Sequence, residues 1–392
     1  MKQKGGFKMR KLLLVAVSFA FIFDFASQRK EMKKIYSEEK QELVQYLKNY
    51  GKSPEDYVIE KFKDYDIVFI GESHRVKHNL ELIYNLIPRL YQAGVYNLGI
   101  EFGGYEYQDE VNKLITADKY DEDLVRLIMF KWYVIWGNKE YMDIYRKAWE
   151  LNKSLPEGAP KFRVINLSYR IKRSPKIGLI LKVLLKGMPD VFMGKMILKE
   201  FVDKGQKALI YSGSHHAFTR YYQPQYNFEK NKLIKLDKNR MGNVVYHKIP
   251  NRVFNILLHQ PWRTNESFEE YSYPVDGVID TVMQEFEDKR VGFDVKGTPF
   301  SRLKDDDTYY ALGHPDFTLS TICDGYIFLN HFKDYEGCTV DTKFITEKNF
   351  QEALDYFDEP ERRKDFKTPE DFINLMKERA NIKKIFKEQG LE

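Results

Sequence analysis

Asp66-Ile67-Val68-Phe69-Ile70-Gly71-Glu72-Ser73-His74, followed by Asn97-Leu98-Gly99-Ile100-Glu101-Phe102, decides the fold. Each is a run of β-prone apolar residues that ends abruptly in polar ones. Between them, Val76 to Ala93 carries Leu80, Ile83, Leu86, Ile87 and Leu90 at helical spacing, with Gly94 at the closing position. Pro88 falls inside this helix and is expected to kink it or end it early. Strand, helix and strand in so short a span make a βαβ unit, so the two strands are expected to be parallel and side by side.

A third run, Ala208-Leu209-Ile210-Tyr211, leads into Ser212-Gly213-Ser214-His215-His216. Parallel strands bring their carboxyl ends to one edge of the sheet, and ligands bind outside that edge. The three polar clusters are therefore expected to meet in one cleft. They bring Glu72, Glu101, His74, His215 and His216, enough for hydrolysis, a metal site or a cofactor pocket.

Gly71 permits a tight turn and a close approach of ligand. Glu72 and His74 are expected at the mouth of the following helix, whose dipole favours an ionised Glu72 and a neutral His74. A neutral imidazole is the form a general base or metal ligand needs. Helix capping is the structural alternative for Glu72. His78 shares a helix face with His74 if the helix has begun there, but is more simply read as solvent-exposed or as a support to the site. Arg75 is a solvated charge or a contact for an anionic group. Glu101 follows Leu98-Gly99-Ile100 where a structural residue would be apolar, and a carboxylate there is costly to bury without a partner. His215 and His216 are adjacent, so one of them, His215, is expected to face the cleft. Ser73 lacks the final glycine of a nucleophile elbow, since Arg75 stands there. Phosphate-binding Gly-Lys-Ser/Thr loops, dinucleotide Gly-x-Gly-x-x-Gly runs and HExxH are all missing from the sequence.

The 392 residues suffice for one large α/β domain or two smaller ones. Hydrophobic content of 43% and aromatic content of 15% support a packed core. The net charge of +5 comes from 63 basic and 58 acidic residues, a mixed surface that argues against a nucleic-acid partner. Residues 1–27 are signal-like: five basic residues up to Lys11, then the apolar stretch Leu12 to Phe23, too short to span a bilayer. This order points to export to the periplasm, cell surface or exterior, with membrane contact only through the leader. Cys323 and Cys338 could pair in an exported protein or remain buried thiols.

Residues 37–260 read as an α/β catalytic or binding core. Ser53-Pro54-Glu55 marks a helix start, a helical aromatic insertion spans 105–153, a strand spans 162–167, and 175–205 is helical. The insertion's aromatics, Trp132, Tyr133, Trp136, Tyr141, Tyr145 and Trp149, suit a core or a lid. Residues 261–340 read as a strand-rich continuation of the sheet, with β-like runs at 278–283, 291–295 and 326–329 beside 254–258. Residues 341–392 form a charged helical tail with a helix start at Thr368-Pro369. The expected class is α/β: a mostly parallel central sheet flanked by helices, with a helical insertion and a strand-rich C-terminal half.

The set Gly71-Glu72-x-His74-x-x-x-His78, Gly99-Ile100-Glu101 and Gly213-x-His215 resembles the superfamily of erythromycin esterases, ChaN-like haem-binding proteins and Tiki/TraB proteins. The resemblance covers about residues 60–220. It implies, in the esterase branch, His74 activating water, Glu101 orienting it or sharing the proton, Glu72 in support and the late histidine near the carbonyl. The segment from Glu101 to His215 is shorter than in antibiotic esterases, which argues against a macrolide. The ChaN-like branch implies haem binding. The Tiki branch implies a metal-dependent peptidase with Glu72, His74, Glu101 and His215 as ligands. The reading is an exported, metal-independent hydrolase of an ester or related carbonyl in a small-molecule substrate. No cofactor is expected on that reading, and haem or a divalent metal enters only with the alternatives.

Overall fold

The computed structural model describes residues 37–169 and 187–391. Residues 1–27, and with them the leader, lie outside the described residues, as does the first part of the helix expected at 175–205.

Strand β1 (Ile67–Glu72) is buried at all six positions. Its side chains alternate: Val68 and Ile70 enter one core, Ile67 and Phe69 another. Burial on both faces is what a parallel sheet covered by helices requires. β1 lies near the middle of a seven-stranded sheet with β2 (Asn97–Gly104), β3 (Arg163–Ser168), β4 (Ala208–Gly213), β7 (Val253–Leu258), β10 (Val291–Asp294) and β11 (Gly325–Phe328), in the order β10-β11-β7-β1-β4-β2-β3. All neighbours are parallel except β10 against β11. β5 (Gln223–Asn227) with β6 (Lys232–Asp237), and β8 (Trp262–Arg263) with β9 (Tyr271–Ser272), form separate hairpins. The α/β class and the mostly parallel central sheet are as the sequence implies.

One expectation fails in an instructive way. β1 and β2 are parallel but not neighbours, because β4 lies between them. The expected adjacency assumed the commonest connection. The chain instead leaves a slot that β4 fills, pairing Glu72 with Gly213 on one side and Ile100 with Tyr211 on the other. The histidine pair thus follows the central strand of the site.

The first core packs α2 (Pro54–Lys61), α3 (Lys77–Gln92), α4 (Gln108–Thr116), α5 (Glu122–Trp132) and α6 (Lys139–Ser154) on one face. Ser53 caps α2 by accepting from Asp56 N–H, with Pro54 at the first turn. α3 runs through Pro88 to Gln92, so the proline does not end it early. On the other face, α7 (Pro189–Glu200) and α9 (Met241–Lys248) bury Met193, Ile197, Met241 and Val245. They flank α8, the single turn Ser214–Ala217. The run 278–283 is helical, not extended: α10 (Val278–Glu285) buries Val278, Ile279, Val282 and Met283, a spacing that serves a helix once Asp280 is turned to His259. Cys323 and Cys338 are free, buried thiols.

The tail belongs to the core. α13 (Pro369–Arg379), with a Thr368–Asp371 capping box, buries Phe372, Ile373 and Met376. α14 (Ile382–Glu388) packs Ile382 and Phe386 on Val76, which precedes α3, and on Phe332 and Tyr335. Gly337 is what allows this contact, because a Cβ there would lie 1.6 Å from the Ala380 carbonyl oxygen. Gly337→Ala should therefore lower stability by about 2 kcal/mol and expose the tail, read by urea unfolding and by faster proteolysis after residue 340.

Candidate active site

β1 pairs with β4 up to Glu72 and Gly213, and β4 pairs with β2 up to Tyr211 and Ile100, so Glu72, Gly213 and Glu101 all stand at the carboxyl edge. Glu72 continues the alternation of Val68 and Ile70 and so turns toward α6, where it is buried. Its Oε1 accepts from the Tyr141 hydroxyl at 2.5 Å and lies 3.0 Å from His74 Nδ1. Its Oε2 accepts from the Tyr211 hydroxyl. Tyr141 in turn accepts the Arg75 backbone N–H at 2.9 Å, which commits its proton to Glu72. Burial pushes the Glu72 carboxyl up, and His74 and the two tyrosines oppose this. Each charge-assisted hydrogen bond offsets about 2 kcal/mol of the burial cost. The expectation that a helix start ionises Glu72 is replaced by this cage, because α3 begins only at Lys77.

With Nδ1 on Glu72, the outer nitrogen of His74 is directed toward Gly213: a Cβ at Gly213 would sit 2.9 Å from His74 Nε2 and 2.6 Å from Cε1. The ring stands edge-on to Phe102 at 5.6 Å and to Trp136 at 5.3 Å. The aromatic stripe of the insertion is thus core, with Tyr141, Tyr145 and Trp136 buried, and it grips the imidazole. His78 is not solvent-exposed. It is buried with its ring 4.3 Å from Tyr335 and its Nε2 unpartnered, and burial pushes it down to about 3. It does not share a helix face with His74, which precedes the helix.

Glu101 has a different partner from the one expected. Its Oε2 accepts the Gly213 N–H at 2.8 Å and its Oε1 lies 3.2 Å from His216 Nε2. His216 Nδ1 lies 2.7 Å from Asp190 Oδ1. Asp190 also accepts from Arg240 at 3.1 Å and from the Met241 N–H at 2.9 Å. A register shift in β2 between Ile100 and Gly104 frees Glu101 from the ladder. Gly103 makes room for that bend, since a Cβ there would collide with Asn166. Burial alone would raise the Glu101 carboxyl, but the His216 imidazolium holds it down at about 2. Burial alone would lower His216, but Glu101 and Asp190 push it up to about 10.

His215 and His216 both reach the cleft wall, where one alone was expected, because they lie in the turn of α8 rather than on a strand. His215 Nε2 is 2.8 Å from the Tyr310 hydroxyl and Nδ1 is 3.3 Å from Gln223 Nε2, so both ring nitrogens are engaged. Burial, then the positive charges of Arg240 and His216, push it down to about 3. The cleft holds about 330 Å³ and is also lined by Ser73, Arg75, Gln260, Arg263, Arg379 and Phe386. Tyr141, Tyr211 and Asp190 were not singled out as site residues in the sequence. Among the described residues no three His, Cys, Asp or Glu side chains converge as a metal-holding group. Of the four residues named for the metal alternative, Glu72 and His74 face each other, whereas Glu101 faces His216 and His215 faces Tyr310.

No protein-family model and no curated protein matches this chain. Among solved structures, the fold is similar to a succinoglycan biosynthesis protein at 10% identity and TM-score 0.50, over 78% of this chain and 100% of that one. Similar structures also include the erythromycin esterase EreC (9% identity, TM-score 0.46, 72% and 93% of the two chains). Another is ChaN of Campylobacter jejuni with haem bound cofacially (12%, 0.35, 53% and 87%). Two of the three groups named from the sequence motifs, the erythromycin esterases and ChaN, are thus among these similar structures. At these identities the likeness is one of fold.

The Glu101–His216 pair carries its own pH dependence. Its carboxylate contributes stability above the unfolded glutamate value of about 4.3, lost as pH falls toward about 2. Its imidazolium contributes stability below the unfolded histidine value of about 6.5, lost as pH rises toward about 10. His216→Gln removes the charge that Glu101 and Asp190 share, leaving Glu101 with the Gly213 N–H alone, and should cost about 3 kcal/mol at pH 6. It should also flatten the decline above pH 7, as measured by urea unfolding across pH.

Proposed function

We propose that the chain is a hydrolase of ester or related carbonyl substrates, with His74 as general base. The observation that supports this best is the Glu72–His74 pair: a buried carboxylate 3.0 Å from Nδ1, with the other nitrogen directed toward Gly213, which like His74 lines the cleft. An ionised Glu72 accepts from Nδ1–H, which leaves Nε2 with its lone pair outward. Nε2 takes a proton from water as the water oxygen attacks the carbonyl carbon. The imidazolium, stabilised by Glu72, then returns the proton to the departing alkoxide, giving acid and alcohol. Glu101, bound to His216 and to the Gly213 N–H, shapes the floor beside Nε2 rather than orienting His74. His215, with both nitrogens engaged, forms wall rather than a free acid. The signal-like sequence of residues 1–27 supports reading this activity as that of an exported protein.

Positioned general bases contribute about 100-fold or more. His74→Ala should therefore lower kcat on a responsive ester by at least about 100-fold, and Glu72→Gln by at least about tenfold, with KM little changed in either. The measurement is a steady-state assay over a panel of aryl and alkyl esters, run beside titration with haemin. Stoichiometric haemin binding that survives His74→Ala, with no ester turned over, would favour the haem-binding reading instead.

Gly213→Ala gives a second check on the geometry. The added methyl meets the His74 ring, so kcat should fall about tenfold or more while the urea midpoint moves little.

A further inference from the structure

Resting on the reading of this cleft as a substrate site, we infer that it takes an acidic substrate whose carboxylate or phosphate group is received by Arg75 and Arg263.

Most arginines of this fold face a carboxylate: Arg126 meets Asp341, Arg163 meets Glu200, Arg220 meets Asp324 and Arg240 meets Asp190. Arg75 and Arg263 meet none among the described residues. The Arg75 guanidinium lies 4.1 Å from the Trp136 ring centroid and lines the cleft. Its polar contacts are all through the backbone: its N–H to Tyr141 and its carbonyl to the Cys338 N–H at 2.9 Å. Those two bonds hold Arg75 at φ 65°, a left-handed conformation that disfavours a side-chain-bearing residue. Arg263 is stacked over Phe268 at 4.2 Å and Tyr271 at 4.4 Å, with one nitrogen on the Phe268 carbonyl. Burial and the nearby Arg379 charge both pull the Arg75 group down. Arg379 differs in being tied to Glu359 at 2.7 Å.

A cationic group kept in a confined cleft, strained and without a counter-charge, costs stability unless a ligand supplies the anion. Among the described residues the only carboxylate on the cleft wall is Glu72, already committed to two tyrosines and His74. Planar guanidinium groups favour forked contact with carboxylate or phosphate oxygens. Pro261, Ile382, Ile385 and Phe386 supply an apolar wall, which fits the carbon skeleton of such an acid.

The test uses the full chain in two assays. The first is calorimetry with glutarate and, separately, inorganic phosphate. The second compares kcat/KM for the mono-4-nitrophenyl ester of succinate with that for 4-nitrophenyl butanoate. We expect one-to-one binding of at least one anion, weakened about tenfold in Arg75→Gln and in Arg263→Gln. A tighter glutarate assigns the substrate a carboxylate, and a tighter phosphate a phosphoryl group. The acidic ester should be preferred, and that preference should shrink in both variants. Without anion, Arg75→Gln should melt no lower than the parent, as removal of an unpaired charge requires. Absence of binding by both anions at about 10 mM, or affinities unmoved in both variants, overturns the inference. Anion binding lost in the variants with no ester turned over removes the hydrolase reading and leaves this one standing. Turnover without acid preference or anion binding does the reverse.

Discussion

A carboxylate buried at the end of β1 is the constraint around which the site is organised. Glu72 can stay there only because three donors close on it, and each donor fixes a different part of the fold. Tyr211 ties the neighbouring strand β4, Tyr141 ties helix α6, and His74 ties the turn that leads from β1 into α3. Tyr141 also holds the backbone of Arg75, so the turn from β1 into α3 is set by the same cage. Loss of one donor would leave the others misaligned as well as unpaired, since networks of this kind exceed the sum of their parts.

The second carboxylate is handled by a different device. Glu101 shares an imidazolium with Asp190, and Arg240 balances the excess negative charge. Two acids one strand apart are thus pushed in opposite directions: burial raises Glu72, whereas an imidazolium holds Glu101 down. Between these two environments His74 lines the cleft, with Nδ1 on Glu72 and Nε2 directed toward Gly213.

Much of this was legible in the sequence, for physical reasons that can be named. Apolar runs such as 66–70 and 208–211 report strands because both faces are buried, and the polar residues that stop them report the carboxyl edge. The helical period from Leu80 to Leu90 reported α3. Strand order was not legible, because it depends on contacts between segments that no local pattern encodes, and so β4 between β1 and β2 came as a correction. Val278 to Met283 read as a strand because β-branched residues dominate it, although its apolar positions suit a helix face equally. Tyr141 and Tyr211 looked like ordinary core aromatics. Only their hydroxyls, which a hydropathy pattern does not see, mark them as part of the site. The preference for His215 over His216 as the residue facing the cleft rests on an alternation that a one-turn helix does not obey.

The insertion of β4 has a consequence for how the molecule assembles. β1 and β2 emerge early in the chain, yet neither can complete its ladder until Ala208–Gly213 arrives between them, with Ile67 pairing to Ala208. Pairings between segments so far apart in sequence form slowly. Until then Glu72 lacks Tyr211, and Glu101 lacks both Gly213 and His216. The nascent chain therefore carries two half-built strand edges, and both carboxylates gain their full sets of partners only when the central strand docks.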